Sequence, residues 1–326
     1  MRAIVCHTLV GPEGLRLLEV PEPHPGPGQV RIRVHACGVN FADSLITRGE
    51  YQRQPPPPFT PGFEVSGEVV ELGVGAAGVT VGDCVLAVVP HGGYAEQAVV
   101  DPIRCVRLPA GLAWVDAAAL PIAFGTAHLA LSHRARLRAG ERLVVHGAAG
   151  GIGLAAVTVG KRLGATVIAT ASGPDKLAVA GEYGADYLID TSREDVRARI
   201  KELTGGRGAD VVFDPVGGDL FDASLRSLDF EGRIVVVGFA AGRVPHIAAN
   251  HLLVKNVDVI GVNWPAYAEL NPQSMTRSLE TLLRWLAEGL IRSQVSEVYP
   301  LDRAAEAIDC VLRRSSTGKL VLTTER

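Results

Sequence analysis

The chain has 326 residues, more than one compact domain usually holds, so two domains are expected. With 47% hydrophobic and 21% charged residues, the composition is that of neither a disordered nor a fibrous protein. A net charge of -3 gives no general attraction to phosphate backbones or anionic lipid, so neither nucleic acid nor a membrane is an expected partner.

The opening run MRAIVCHTLVGPEGLRLLEV is apolar only briefly before Gly11-Pro12 and lacks the form of a signal peptide. The five cysteines, Cys6, Cys37, Cys84, Cys105 and Cys310, contain no C-x-x-C pair. That argues against a disulfide framework or a zinc ribbon, and a reducing, cytoplasmic location is expected. Short β-rich runs broken by Gly and Pro fill the first 110 residues, at 3–6, 30–35, 65–72, 84–89 and 95–100. The longest apolar stretch, 117–132, contains Pro121, Gly125 and His128 and falls short of a spanning helix. From Arg142 the texture changes to apolar runs alternating with helical segments: LVVHG, TVIATA, YLID, DVVFD, RIVVVG and DVIGV. Six such strands predict a doubly wound parallel sheet, the Rossmann arrangement, within an α/β chain. An amphipathic helix at 274–287, an extended run at 295–299, a helix at 303–313 and a strand at 319–323 follow. These last pieces can return to the first, β-rich domain.

The strand at Arg142 runs into HGAAGGIGLAAVTVGKRLG, where Ala148, Gly150 and Gly153 fill the special positions of a G-x-G-x-x-G turn. A side chain at Gly150 would block a pyrophosphate, and one at Gly153 would push helix from strand. A helix starting with Gly151 and Ile152 then points free N–H groups and its positive end at the phosphates. The next strand ends at Ser172, where a protein selective for NAD usually carries an acid. Asp175, after Pro174, is expected to face solvent. Ser172 and Lys176 can instead hold a 2′-phosphate, so NADP(H) is the expected cofactor. Loops after later strands carry Val216, within Asp214-Pro215-Val216-Gly217-Gly218, then Gly238, Phe239 and Ala240, then Asn263. Open parallel sheets present ligand-binding loops at these carboxyl ends.

The stretches GVNFADSLITRGEY, PGFEVSGEVVELG, GDCVLAVV, GGYAE, HGAAGGIG, FDPVGGDLF and GRIVVVGFAAG resemble the quinone oxidoreductase, ζ-crystallin-like branch of the medium-chain dehydrogenase/reductase superfamily. The resemblance implies a discontinuous, β-rich GroES-like catalytic domain, 1–121 and 264–326, and an inserted NADP-binding Rossmann domain, 122–263. It also implies hydride transfer from NADPH. Zinc alcohol dehydrogenases of the same superfamily carry cysteine and histidine where this sequence resembles them at Asn40 and Phe63, and neither residue replaces a zinc ligand. No catalytic zinc is expected. Without a Lewis acid, simple ketones are poor acceptors, whereas quinones and conjugated carbonyls delocalise the incoming charge themselves.

The resemblance further marks Asn40 as a donor to a substrate oxygen or to the nicotinamide ribose, with a turn-stabilising Asn as the alternative. Tyr51 corresponds to a tyrosine of related enoyl thioester reductases that supplies a proton or binds the carbonyl, or else only shapes the pocket. Thr126 resembles the family's threonine near the nicotinamide, against a plain helix-internal residue. Arg314 resembles an arginine that helps hold the 2′-phosphate. The sixth strand leaves an open sheet edge, so a homodimer is expected. An enoyl thioester reductase is the enzymatic rival, kept open by Arg48 and Arg53 around Tyr51. A non-catalytic nucleotide-binding protein, crystallin-like or RNA-binding, is the rival of another class.

Overall fold

The computed structural model describes residues 1–325 and divides into two compact units, 1–125 with 265–326, and 126–264. In the first unit, the strands β1 (Arg2–Cys6) and β2 (Leu15–Glu19) form an antiparallel pair. The main sheet uses β3 (Val30–Val39), β4 (Glu64–Leu72), β5 (Cys84–Val88), β6 (Gln97–Val100) and β7 (Cys105–Arg107). Its order is β14-β15-β3-β4-β5-β7 with β6 also on β3, where β14 (Val295–Pro300) and β15 (Lys319–Thr323) come from the C-terminal segment. β3 shows why the sheet forms: Val30, Ile32 and Val34 alternate into the core while Arg31 and Arg33 point away. The antiparallel pairing of β15 with β3, Leu320 opposite Val39, is what ties the chain end to the beginning.

The second unit holds β8 (Arg142–Val145), β9 (Thr166–Ala171), β10 (Tyr187–Asp190), β11 (Ala209–Asp214), β12 (Leu228–Val236) and β13 (Asp258–Gly261). All pairings are parallel, in the order β10-β9-β8-β11-β12-β13. The strand order reverses between β8 and β11, which is where doubly wound sheets open a crevice for ligands. Val144, Ile168, Ile189, Val212 and Ile234 are buried on one face of this sheet and Val145, Val167, Val211 and Val235 on the other, as near-continuous apolar strands should be. A short helix, Ala123–His128, passes into a π-helical turn, Leu129–Arg134, ahead of β8. Among the described residues no helix is long and apolar enough to cross a membrane.

Candidate functional site

In the second unit, the chain leaves β8 at His146 and turns through 147–150 into the helix Gly151–Arg162, whose N-cap is Gly150. A Cβ at Gly150 would meet only the Gly147 carbonyl oxygen, at 3.6 Å, so the turn is open above that position. A Cβ at Gly153 would lie 2.1 Å from the same oxygen and 2.7 Å from Ala148 Cα. Helix and turn are thus in backbone contact there, and the open surface at Gly150 is free for a diphosphate. Ala148 is fully buried, and Gly151 and Ile152 form the first helical turn.

Two further loops reach the same end of the sheet. Val216 Cγ2 would touch a Cβ placed on Gly147, at 3.3 Å. Asp214 fixes its own loop, Oδ1 accepting from Val216 N at 2.8 Å and Gly217 N at 2.9 Å. The loop after β12 docks on it, Ala240 N donating to the Pro215 carbonyl at 3.1 Å, with Gly238 close against Pro215. Phe239 stays partly exposed, and Asn263 is exposed just beyond β13. The structure therefore gathers Ala148, Gly150, Val216, Gly238, Phe239 and Ala240 around the point where the strand order reverses.

Ser172 is exposed at the end of β9, and Lys176 lies in the first turn of the helix Pro174–Glu182. Asp175 is exposed. Asp190, at the end of β10, braces this loop by accepting from Gly173 N at 3.0 Å and from Ser192 N and Oγ at 2.9 and 2.6 Å. Those hydrogen bonds hold its carboxyl below the usual range. Arg314 lies in the first unit, in a left-handed conformation (φ 54) after the helix Ala304–Leu312. Thr126 opens the second unit and is buried.

Sequence reasoning missed His146, which is wholly buried behind the glycine turn. Its Nδ1 meets Thr170 Oγ1 at 2.9 Å and its Nε2 meets Ser224 Oγ at 2.6 Å, and burial lowers its pKa. Neutral imidazole offers one donor and one acceptor, which two hydroxyls can satisfy.

In the first unit, Asn40 caps the helix Phe41–Arg48, its N–H donating to Asp43 Oδ2 at 2.8 Å. Asp43 Oδ1 also accepts from Gly62 N at 3.1 Å, so this acid braces the segment. Burial pushes its pKa up to about 7. Tyr94 is buried with its hydroxyl against Asp43 but outside hydrogen-bond geometry. The Asn40 side chain is nearly buried. Its Nδ2 donates to Glu64 Oε1 at 2.7 Å and more weakly to the Gly38 carbonyl at 3.4 Å, while Oδ1 accepts from Lys319 Nζ at 2.5 Å. Most of this amide is thus used inside the unit, and one N–H remains loosely held. Lys319 and Glu64 were not singled out by the sequence.

Tyr51 is half-buried, its ring 5.2 Å from that of Phe63 at an interplanar angle of 50°. Burial, with the charge of Asp43, raises its pKa, so the phenol stays protonated at neutral pH. Arg48 is paired with Glu50 at 3.0 Å, and Arg53 with Glu269. His128 is half-buried, and desolvation lowers its pKa to about 4, as suits a packing residue.

A zinc ion does not fit these residues. Asn40 is engaged with Glu64 and Lys319, Phe63 is an apolar ring, and burial raises the pKa of the nearby Cys37 thiol well above its usual value. Among the described residues no group of three or more His, Cys, Asp or Glu side chains is placed to hold a metal.

Residues 26–110 match the family described as alcohol dehydrogenase GroES-like domain, and residues 151–287 the one described as zinc-binding dehydrogenase. A quinone oxidoreductase-like protein 2 homolog of Nematostella vectensis is 40% identical, over 100% of this chain and 89% of its own length. A solved quinone oxidoreductase of Pseudomonas syringae superposes with a TM-score of 0.93 at 34% identity, covering 99% of both chains. The Escherichia coli quinone oxidoreductase solved with NADPH gives a TM-score of 0.91 at 30% identity, over 99% of this chain and 100% of that one. With the glycine turn in a parallel sheet of the order described, and a β-rich unit built from both chain ends, this chain belongs to the quinone oxidoreductase family of the medium-chain dehydrogenase/reductase superfamily.

Proposed function

We propose that this protein reduces quinones or related conjugated carbonyl compounds with NADPH, without a catalytic metal. The observation that carries the reading is the open turn at Gly150, set against a helix N-terminus in a member of this family. Bound NADPH supplies the hydride. The chain cradles its diphosphate on the backbone of 150–153 and takes the 2′-phosphate with Ser172 and Lys176, the latter two braced by Asp190 beneath their loop. Val216, Gly238, Phe239, Ala240 and Asn263 offer main-chain and side-chain contacts to ribose and nicotinamide, Thr126 assists the nicotinamide, and Arg314 adds to the 2′-phosphate.

On the acceptor side, the Asn40 Nδ2, which donates only weakly to the Gly38 carbonyl at 3.4 Å, shares that N–H with an acceptor oxygen. Negative charge developing there is stabilised by a donor already in place. Tyr51 is a neutral phenol at working pH and delivers the proton that completes reduction, with solvent as the other source for a quinol. The pairing of Arg48 with Glu50 and of Arg53 with Glu269 weakens the case for a cationic groove of the kind a phosphopantetheine thioester needs. Steady-state oxidation of NADPH with 1,4-benzoquinone, an enone and crotonyl-CoA tests the assignment. Turnover is expected with the first two, and turnover confined to crotonyl-CoA contradicts it. We place the protein in the cytoplasm, as a homodimer joined through the edge strand β13. A monomeric mass in sedimentation at micromolar concentration would count against that assembly.

A further inference from the structure

Three side chains from distant parts of the first unit meet out of water. Asn40 stands at the start of the helix Phe41–Arg48, Glu64 opens β4, and Lys319 opens β15. Glu64 is 0% exposed, Lys319 4% and Asn40 9%. The ammonium donates to Glu64 Oε1 at 2.6 Å and to Asn40 Oδ1 at 2.5 Å, and Asn40 Nδ2 donates to the same Oε1 at 2.7 Å. Glu64 Oε2 accepts from Ile122 N at 2.7 Å, so the carboxylate is itself fixed from behind. Room for it comes from Gly38, where a Cβ would lie 2.2 Å from Oε1.

A buried ion pair is weak evidence for stability, because desolvation offsets much of the attraction. Its effect on Asn40 is more specific. An asparagine amide can turn end for end at little cost when its neighbours are neutral, since its oxygen and nitrogen are nearly the same size. Here a turned amide would face NH₂ toward the ammonium and oxygen toward the carboxylate, with both contacts becoming repulsive. The pair therefore permits one orientation only. Drawing electron density into Oδ1 also makes the Nδ2 protons better donors, as expected when hydrogen bonds polarise one another in a chain.

We propose that Lys319, held by Glu64, is a positioning residue that fixes and polarises the Asn40 carboxamide for the acceptor oxygen. This inference rests on the role given to Asn40 in the proposed reaction. The test compares the unsubstituted protein with Lys319→Met/Glu64→Gln, which removes both charges together and leaves no unpaired ion inside. Should that variant fail to fold, Lys319→Gln/Glu64→Gln takes its place, equally free of charge and with a side chain at 319 that still donates a hydrogen bond.

Side-chain amide resonances, assigned by their loss in Asn40→Ala, provide a readout independent of turnover. Slow proton exchange is expected for Asn40 in the unsubstituted protein, and rapid exchange in the charge-free variant. In kinetics with NADPH and 1,4-benzoquinone, kcat should fall roughly tenfold to a hundredfold. The dissociation constant of NADPH should stay within about twofold, the cofactor cradle being in the other unit. In the Asn40→Ala background the same two substitutions should lower kcat by less than about twofold, the non-additivity of residues acting as one. Unchanged exchange at Asn40, or a fully additive loss of kcat, would overturn the proposal. If the unsubstituted protein reduces no acceptor, the proposed reaction fails, and the exchange measurement still decides whether Lys319 and Glu64 lock the amide.

Discussion

Replacing Gly150 and Gly153 by alanine, one at a time, separates the two tasks of the glycine turn. At Gly150 the backbone (φ -80, ψ 167) suits any residue, and the new methyl meets nothing nearer than 3.6 Å. Loss of a glycine N-cap costs about 0.5 kcal/mol, and the stiffer unfolded chain returns roughly 0.4–1 kcal/mol. Thermal stability should therefore barely change, while the methyl occupies the surface on which the diphosphate lies. The Kd for NADPH is expected to rise at least about tenfold, equivalent to ~1.4 kcal/mol. At Gly153 the methyl would lie 2.1 Å from the Gly147 oxygen and 2.7 Å from Ala148 Cα. These are backbone atoms that cannot rotate away, so the helix must lift from the strand at about 3 kcal/mol, the upper end of ordinary overpacking. That corresponds to a Tm lower by roughly 10 °C, with cofactor binding lost as well. Differential scanning fluorimetry and isothermal titration with NADPH read both effects. If Gly150→Ala binds NADPH as the unsubstituted protein does, or unfolds as early as Gly153→Ala, the assignment of the two glycines is wrong.

Asp43, buried with a pKa raised from 3.8 to about 7, keeps a proton in the folded state that the unfolded chain releases. Its contribution to stability is full below pH 3.8 and is lost as the pH rises through about 7. The carboxyl carbon shift of Asp43 should titrate near that value, and a midpoint below roughly 5 would refute it. Tyr51→Phe should lower kcat/KM by about tenfold or more for acceptors that need a proton from the protein, and an unchanged kcat/KM would remove Tyr51 from the mechanism. Gly38→Ala should destabilise the first unit by about 3 kcal/mol, since its methyl would meet Glu64 Oε1 at 2.2 Å and the Ala118 carbonyl at 2.7 Å. A wild-type Tm for that variant would show that the Glu64 carboxylate can move aside without loss.

The parallel sheet was legible because each of its strands is an apolar run and the turn after β8 carries glycines at the spacing a diphosphate requires. The runs at 3–6, 30–35, 65–72, 84–89 and 95–100 likewise lie within or across β1, β3, β4, β5 and β6. β2 was not visible, because LRLLE buries only Leu15 and so shows no alternation for a pattern to detect. The π-helical turn Leu129–Arg134 was equally silent, its apolar stretch reading as ordinary helix.

At the candidate site, motif residues could be placed but their partners could not. Lys319 in the sequence is one lysine among ordinary surface charges, and its partner Glu64 lies 255 residues away. His146 likewise needs Thr170 and Ser224, 24 and 78 residues along, before its burial makes sense. Asn40 shows the same limit from the other side. Its segment pointed to a donor amide, whereas the fold spends most of that amide on Glu64 and Lys319 and leaves one N–H loosely bound.

Anaerobic stopped-flow mixing of the protein and NADPH with 1,4-benzoquinone bears most directly on the proposed function. A saturable, enzyme-dependent loss of the reduced nicotinamide absorbance, insensitive to chelators and much slower when NADH replaces NADPH, is the expected result. Oxidation that disappears with a zinc chelator, or no oxidation above the uncatalysed rate with any quinone or enone, would contradict it.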